Sequence, residues 1–81
     1  MFKYLMQLKD STHWKRKRRY RPDITDDLIE YAIENSNELK DGHWEDALNA
    51  VCRVPPSGRI LKVVYKKDED KIKIITAFWL D

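Results

Sequence analysis

Cysteine occurs once in the 81 residues, at Cys52. An intramolecular disulfide and a multi-cysteine zinc site are both excluded, and the usage suits a reducing compartment. Glycine occurs twice and proline three times. So few breakers leave most of the chain free to form helix or strand. No apolar run approaches the roughly 18 residues that a membrane span needs. The opening M-F-K-Y-L-M-Q-L-K is partly apolar, but a lysine interrupts it, and it lacks the longer apolar core and small-residue cleavage site of a signal peptide. These shortages predict a single cytoplasmic domain, residues 1–81, with no membrane partner. They also predict no metal and no cofactor, since His13 and His43 make no recognisable metal-ligand spacing.

What is plentiful is charge. Charged residues make up 37% and hydrophobic ones 42% of the chain, a balance that argues for a small folded globule and against disorder. A chain of this size buries only about 60–65% of the surface its unfolded form exposes, so its stability is modest and pairing with a partner chain is a route to more. The net charge of +2 conceals an asymmetry. Residues 13–21 carry six cations, Lys15, Arg16, Lys17, Arg18, Arg19 and Arg21, and no acid. Residues 23–46 carry nine acids against one base, Lys40. With the acids segregated elsewhere, the cationic run points to a polyanionic partner, most simply a nucleic acid. A merely solvated face is the bland alternative. A third reading pairs the basic and acidic poles head to tail in a homo-oligomer, which salt would dissociate.

Residues 2–9 alternate, with Phe2, Tyr4, Met6 and Leu8 on one side, and read as a half-buried strand. Asp10, Ser11 and Thr12 supply helix-capping side chains, and a first helix is expected over 12–20. Its faces group His13 with Arg16 or Lys17 and Tyr20, and Trp14 with Lys17 or Arg18 and Arg21. Neither is a good apolar stripe, so packing of Trp14 and Tyr20, or an anionic partner, must hold the helix. Pro22 ends it. Thr25 is a natural N-cap for a second helix, whose Asp26 and Asp27 suit the positive end of the helix dipole. Leu28, Ile29, Ala32 and Ile33 form its apolar face, and its end falls near 35–37.

Strand signals follow: a short one over 38–41 closed by Gly42, then one over 47–54 with Val51, Cys52 and Val54 as apolar content. After a Pro55-Pro56-Ser57-Gly58 turn comes another over 59–66. In it Leu61, Val63 and Tyr65 face one way, Ile60, Lys62 and Val64 the other. A charged turn over 67–70 leads to a closing strand over 71–80, apolar enough on both faces to be central. Trp14 and Trp79 are expected in the core, Trp44 is open between core and stacking, and Cys52 reads as a buried small hydrophobe. The architecture expected is α+β: two N-terminal helices packed on one face of an antiparallel sheet of about four strands, in the order β-α-α-β-β-β(-β).

Two blocks carry a family resemblance. T-H-W-K-R-K-R-R-Y-R-P-D-I-T-D-D-L-I-E-Y-A-I-E-N resembles the opening of a family of small bacterial and archaeal proteins of uncharacterised role, through His13, Arg16 or Lys17, Arg21, Ile24, Thr25, Ala32 and Ile33. G-R-I-L-K-V-V-Y-K-K and K-I-I-T-A-F-W resemble its two closing strands, through Gly58, Arg59, Lys62, Val64, Tyr65, Ile75, Thr76 and Phe78. Pro22-Asp23 departs from the pattern by adding length between the helices. The family is in turn distantly similar to the BrnT and RelE/ParE-like toxins, small α+β ribonucleases or gyrase poisons encoded beside a protein antitoxin. The resemblance implies a toxin–antitoxin role, RNA ahead of DNA as the target, and an antitoxin-like protein partner.

RNA can be cleaved without a metal. The 2′-hydroxyl attacks the neighbouring phosphate, a base takes its proton, an acid protonates the leaving oxygen, and cations stabilise the developing charge. Histidine is the side chain type suited to act as such a base or acid, and His13 is the candidate. Arg16, Arg21, Arg59 and Lys62 are placed to hold a phosphate, arginine by its two-pronged geometry. Tyr65 could stack a base or donate a proton. The candidate catalytic set is therefore His13, Arg16, Arg59, Lys62 and Tyr65. The candidate nucleic-acid-binding set is Lys15, Lys17, Arg18, Arg19 and Arg21. Against catalysis, His13 lies close enough to a helix cap for a packing role, and Tyr65 shares a register with Leu61 and Val63. The leading reading is a small RNA-targeting protein of the toxin type, a metal-independent endoribonuclease, and the alternative is a non-catalytic nucleic-acid-binding or protein-interaction module.

Overall fold

Strand β1, Gln7–Asp10, delivers the chain to helix α1, Thr12–Lys17, which a 3-10 turn over Arg18–Tyr20 extends. Helix α2, Asp26–Glu34, follows, and then strands β2, Leu39–Lys40, β3, Leu48–Val54, β4, Arg59–Asp68, and β5, Lys71–Trp79. The computed structural model describes residues 7–36, 39–40, 42 and 46–81. Residues 2–6 of the expected first strand, the ends 38 and 41 of the short one, His43 and Trp44 lie outside the described residues. The strands form one sheet in the order β1-β5-β4-β3-β2. Trp14, Ile24, Ile29 and Ala32 of the helical layer share one buried cluster with Leu61, Val63, Tyr65, Ile74 and Ala77 of the sheet. This is the expected α+β arrangement, with five strands and β5 inside the sheet. β1 runs parallel to β5, from Gln7 opposite Lys71 to Asp10 opposite Ile74, while the other pairings are antiparallel, so the sheet is mixed. No helix among the described residues is long and apolar enough to cross a membrane.

Helix α2 follows its local signals. The Thr25 hydroxyl accepts the Leu28 N–H at 3.3 Å, Asp26 and Asp27 occupy the first turn, and Ile29 and Ala32 are fully buried. Helix α1 is shorter than expected. Its α geometry stops at Lys17, the next residues tighten into the 3-10 turn, and Arg21, before Pro22, is no longer helical. Trp14 is fully buried, but Tyr20 is 84% exposed and does not pack. One aromatic therefore anchors the helix. Truncating a buried tryptophan to alanine costs about 3–5 kcal/mol. The whole chain holds roughly 4–12 kcal/mol at typical per-residue stability, so Trp14 decides whether this layer stays folded.

The sheet's parity depends on a bulge. Val64 pairs with Thr76 and Tyr65 with Ile74, which leaves Ile75 as an extra residue in β5. One extra residue reverses the alternation. Ile72 and Ile74 before it, and Ala77 and Trp79 after it, therefore all pack toward the helices. Ile75 packs with Val64 and Ala47 in a smaller cluster on the other face. In β3 the same alternation buries Ala50 and Val54 and leaves Val51 exposed, so Val51 is not core, and Cys52 is half-buried beside the cluster instead of fully buried. The β4–β5 turn is tighter than expected: the strands run to Asp68 and from Lys71, and Glu69 takes φ 57°.

β1 ends at Asp10, so the far half of β5 would present a bare edge. The helical layer covers it. The Ser11 N–H donates to the Ile74 carbonyl at 3.0 Å and the Ser11 hydroxyl to the Ile75 carbonyl at 3.1 Å. Arg21 Nη1 donates to the Ala77 carbonyl at 3.1 Å, and Trp79 Nε1 to Asp23 at 2.9 Å. An unpaired edge invites pairing with other chains, and the Ser11 and Arg21 bonds occupy its Ile74, Ile75 and Ala77 acceptors. Two stability predictions follow from this geometry. Ser11→Ala leaves the Ile75 carbonyl and the Trp14 N–H without partners and should lower unfolding free energy by about 1–3 kcal/mol in a denaturant titration. Glu69→Gly relieves a left-handed backbone and should raise it by about 0.5–1 kcal/mol.

Candidate nucleic-acid interface

The orientation of α1 is set at Ser11. Its hydroxyl accepts the Trp14 N–H at 3.1 Å while donating to β5, so the helix starts at a fixed place on the sheet. With Trp14 turned inward, Arg18 falls one turn later on the same side. Its guanidinium lies 5.6 Å from the Trp14 ring centroid, bonds Asp10 through Nη1, and bonds Asp26 through Nη2 at 2.8 Å. Its pKa is held above the ordinary arginine value, first by the hydrogen bond to Asp26 and further by Asp10, against the opposing effect of desolvation. Arg21 is engaged with Ala77 and Thr76. The six-cation run is therefore divided. Arg18 and Arg21 join helix to strand, whereas Lys15, Arg16, Lys17 and Arg19 are exposed and their side chains form no ion pair or hydrogen bond among the described residues. Those four are the outward-facing part of the run.

The candidate catalytic residues do not converge. His13 is half-buried on α1, and Arg16 stands on the same helix. Arg59, at the start of β4, lies 4.2 Å from the Trp79 ring centroid, 3.6 Å from Asp23 and 4.0 Å from Asp81. Asp23 thus serves Trp79 and Arg59 together, which ties the loop before α2 to the sheet's end. Lys62 is on the face away from the helices, 5.7 Å from the Phe78 ring centroid. Tyr65 is 1% exposed inside the helix-side core. Alternation explains the scatter, because Lys62 lies between two inward residues, Leu61 and Val63, and so points away from Tyr65's side. A shallow hollow of about 310 Å³ is lined by Arg18, Arg21, Pro22, Ile24, Thr25, Asp26 and Asp27, and its two arginines already have partners. Among the described residues no group of three His, Cys, Asp or Glu side chains is arranged to hold a metal ion.

Two features were not singled out from the sequence. One is Asp23 as the link between the Arg59 and Trp79 side chains. The other is Lys9, Lys66 and Lys73, which the register sets side by side on the face away from the helices. Their signal was the alternation of lysine with apolar residues in three separate strands, which gains meaning only once those strands are paired. The division of the cationic run predicts unequal effects on stability. Arg18→Ala should cost about 1–2 kcal/mol, and Arg16→Ala should stay within about 0.5 kcal/mol of wild type, both read from urea unfolding curves.

Compared with protein-family models, curated proteins and solved structures, the chain finds no match in any of the three.

Proposed function

We propose that the protein is a nucleic-acid-binding module that engages single-stranded RNA, ahead of DNA, through the exposed cations of α1. The observation that supports this reading is the set of Lys15, Arg16, Lys17 and Arg19, clustered on a short helix and without acidic partners among the described residues. Phosphates supply the missing counter-charge, and ordered counterions released from the strand add to the affinity. The preference for RNA, the toxin-like setting and an antitoxin-like protein competing for the same helix rest on the family resemblance. The free thiol of Cys52 suits a reducing, cytoplasmic setting. Head-to-tail self-association is the weaker use of the two poles, because Asp23 and Asp26 already pair with Arg59 and Arg18 within one molecule.

A toxin-like, metal-independent endoribonuclease is the second reading. The observation favouring it is His13 on α1 itself, three residues before Arg16 and so on a neighbouring helical position. A histidine there would move the proton while Arg16 held the phosphate. The scatter of Arg59, Lys62 and Tyr65 weighs for binding without cleavage.

The test is a salt titration of binding to labelled single-stranded RNA and DNA, with cleavage followed in the same metal-free samples. Replacing Lys15, Arg16, Lys17 and Arg19 by glutamine should flatten the slope of log affinity against log salt by about 3 and weaken binding tenfold or more, to order of magnitude. Wild-type protein should leave the RNA intact, and His13→Ala should bind as wild type does. RNA cut by wild type but not by His13→Ala would make the protein a nuclease. Salt-sensitive self-association in the absence of nucleic acid, with no RNA or DNA binding, would give the poles to a homo-oligomer.

A further inference from the structure

Lys9 of β1 stands opposite Lys73 of β5, and Lys73 opposite Lys66 of β4. Their strand neighbours Leu8, Ile72, Ile74 and Tyr65 pack into the helix-side core. Alternation therefore places the three lysines together on the other face. Directly opposed residues have Cβ atoms about 4.5–5.5 Å apart, and like charges there are destabilising. Lys66 and Lys73 are half-buried and Lys9 is exposed, and none of the three side chains has an ion pair or hydrogen bond among the described residues. The adjoining row holds Gln7, Lys71 and Asp68, and its one acid is opposite Lys71. Three adjacent lysines without a carboxylate partner among the described residues repel one another at a cost to the fold. A polyanion removes that cost.

The row also has a direction. It runs to β1, the edge strand, and α1 begins three residues after Lys9. We propose that the Lys9–Lys73–Lys66 row is a second phosphate-binding surface, continuous around the β1 edge with the cations of α1, and that one single-stranded nucleic acid occupies both. This rests on the nucleic-acid reading above and extends it to a second face. Charge complementarity selects the phosphodiester backbone, since lysine meets phosphate as a point charge. The path selects a single strand. Duplex DNA stays straight over about 150 base pairs, and it cannot turn an edge on a body measuring 35 × 30 × 22 Å.

The experiment compares the full chain with a row variant, Lys9→Gln/Lys66→Gln/Lys73→Gln, a charge-keeping variant, Lys9→Arg/Lys66→Arg/Lys73→Arg, and the α1 glutamine variant. Each is titrated with a labelled single-stranded oligonucleotide and with the matching duplex across a range of salt. The row variant should bind the single strand more weakly, with the salt slope flattened by about 2 for three lost contacts. The arginine variant should keep the wild-type slope, and wild type should prefer single strand to duplex. Because the row variant loses like-charge repulsion, it should melt no lower than wild type, which separates lost binding from lost folding. A row variant with unchanged affinity and slope, beside an impaired α1 variant, overturns this inference and leaves the α1 reading standing. Wild-type protein that binds no oligonucleotide at low salt overturns both. A row variant that loses only its adhesion to phosphatidylserine vesicles assigns the row to a lipid surface and overturns the inference.

Discussion

The hydroxyl of Ser11 belongs to three elements at once. It follows β1, it caps α1 through the Trp14 N–H, and it closes the β5 edge at the Ile75 carbonyl. Both bonds are buried, so water cannot substitute for either of them without opening the joint. A six-residue helix rich in like charge has little tendency to form by itself. It exists here because its first turn is fixed at Ser11 and its one buried ring, Trp14, sits in the core of the sheet. The Arg18 bridge to Asp10 and Asp26 and the reach of Arg21 to β5 continue the same closure further along. The outward display of Lys15, Arg16, Lys17 and Arg19 is a by-product of where that joint lies.

The parts of the fold that local chemistry determines could be read in advance. Thr25 with its aspartates starts α2, the Leu61, Val63 and Tyr65 alternation sets the helix-side face of β4, and the doubly apolar run in β5 puts that strand inside the sheet. The parts that needed a partner could not. Nothing in residues 7–10 states that they will lie parallel to β5, because direction is a property of the pair. Tyr20 was credited with packing, but helix geometry ends before it and the 3-10 turn carries it into solvent. Val51 was grouped with Cys52 and Val54 as the apolar content of its strand, and apolar content does not reveal which face a strand residue takes.

The charged residues illustrate the same boundary. A run of cations is visible in any sequence, but which of them are engaged depends on acids brought near by folding. Asp10 and Asp26 lie eight residues to either side of Arg18, and both reach it. Asp23, in the loop before α2, reaches Arg59 across the fold. Of the arginines expected to hold a phosphate, Arg21 and Arg59 are thus held by the protein's own groups and Arg16 is not, and the exposed charge of the run is Lys15, Arg16, Lys17 and Arg19. The lysines among them, as flexible point charges, favour attraction to a backbone over two-pronged recognition of one group.

The extra residue at Ile75 has a consequence for how this strand can change over time. On either side of it β5 obeys opposite rules: before it, lysines alternate with inward isoleucines, and after it Ala77 and Trp79 take the inward places. Substitutions can be absorbed one side chain at a time. A one-residue deletion or insertion elsewhere in the strand cannot, because it would exchange inside and outside for every residue between that point and the nearer strand end. In a comparison of sequences that share this fold, a gap at Ile75 would therefore stand for loss of the bulge with the faces on either side kept, whereas a gap at any other position of the strand would stand for a reversal of faces.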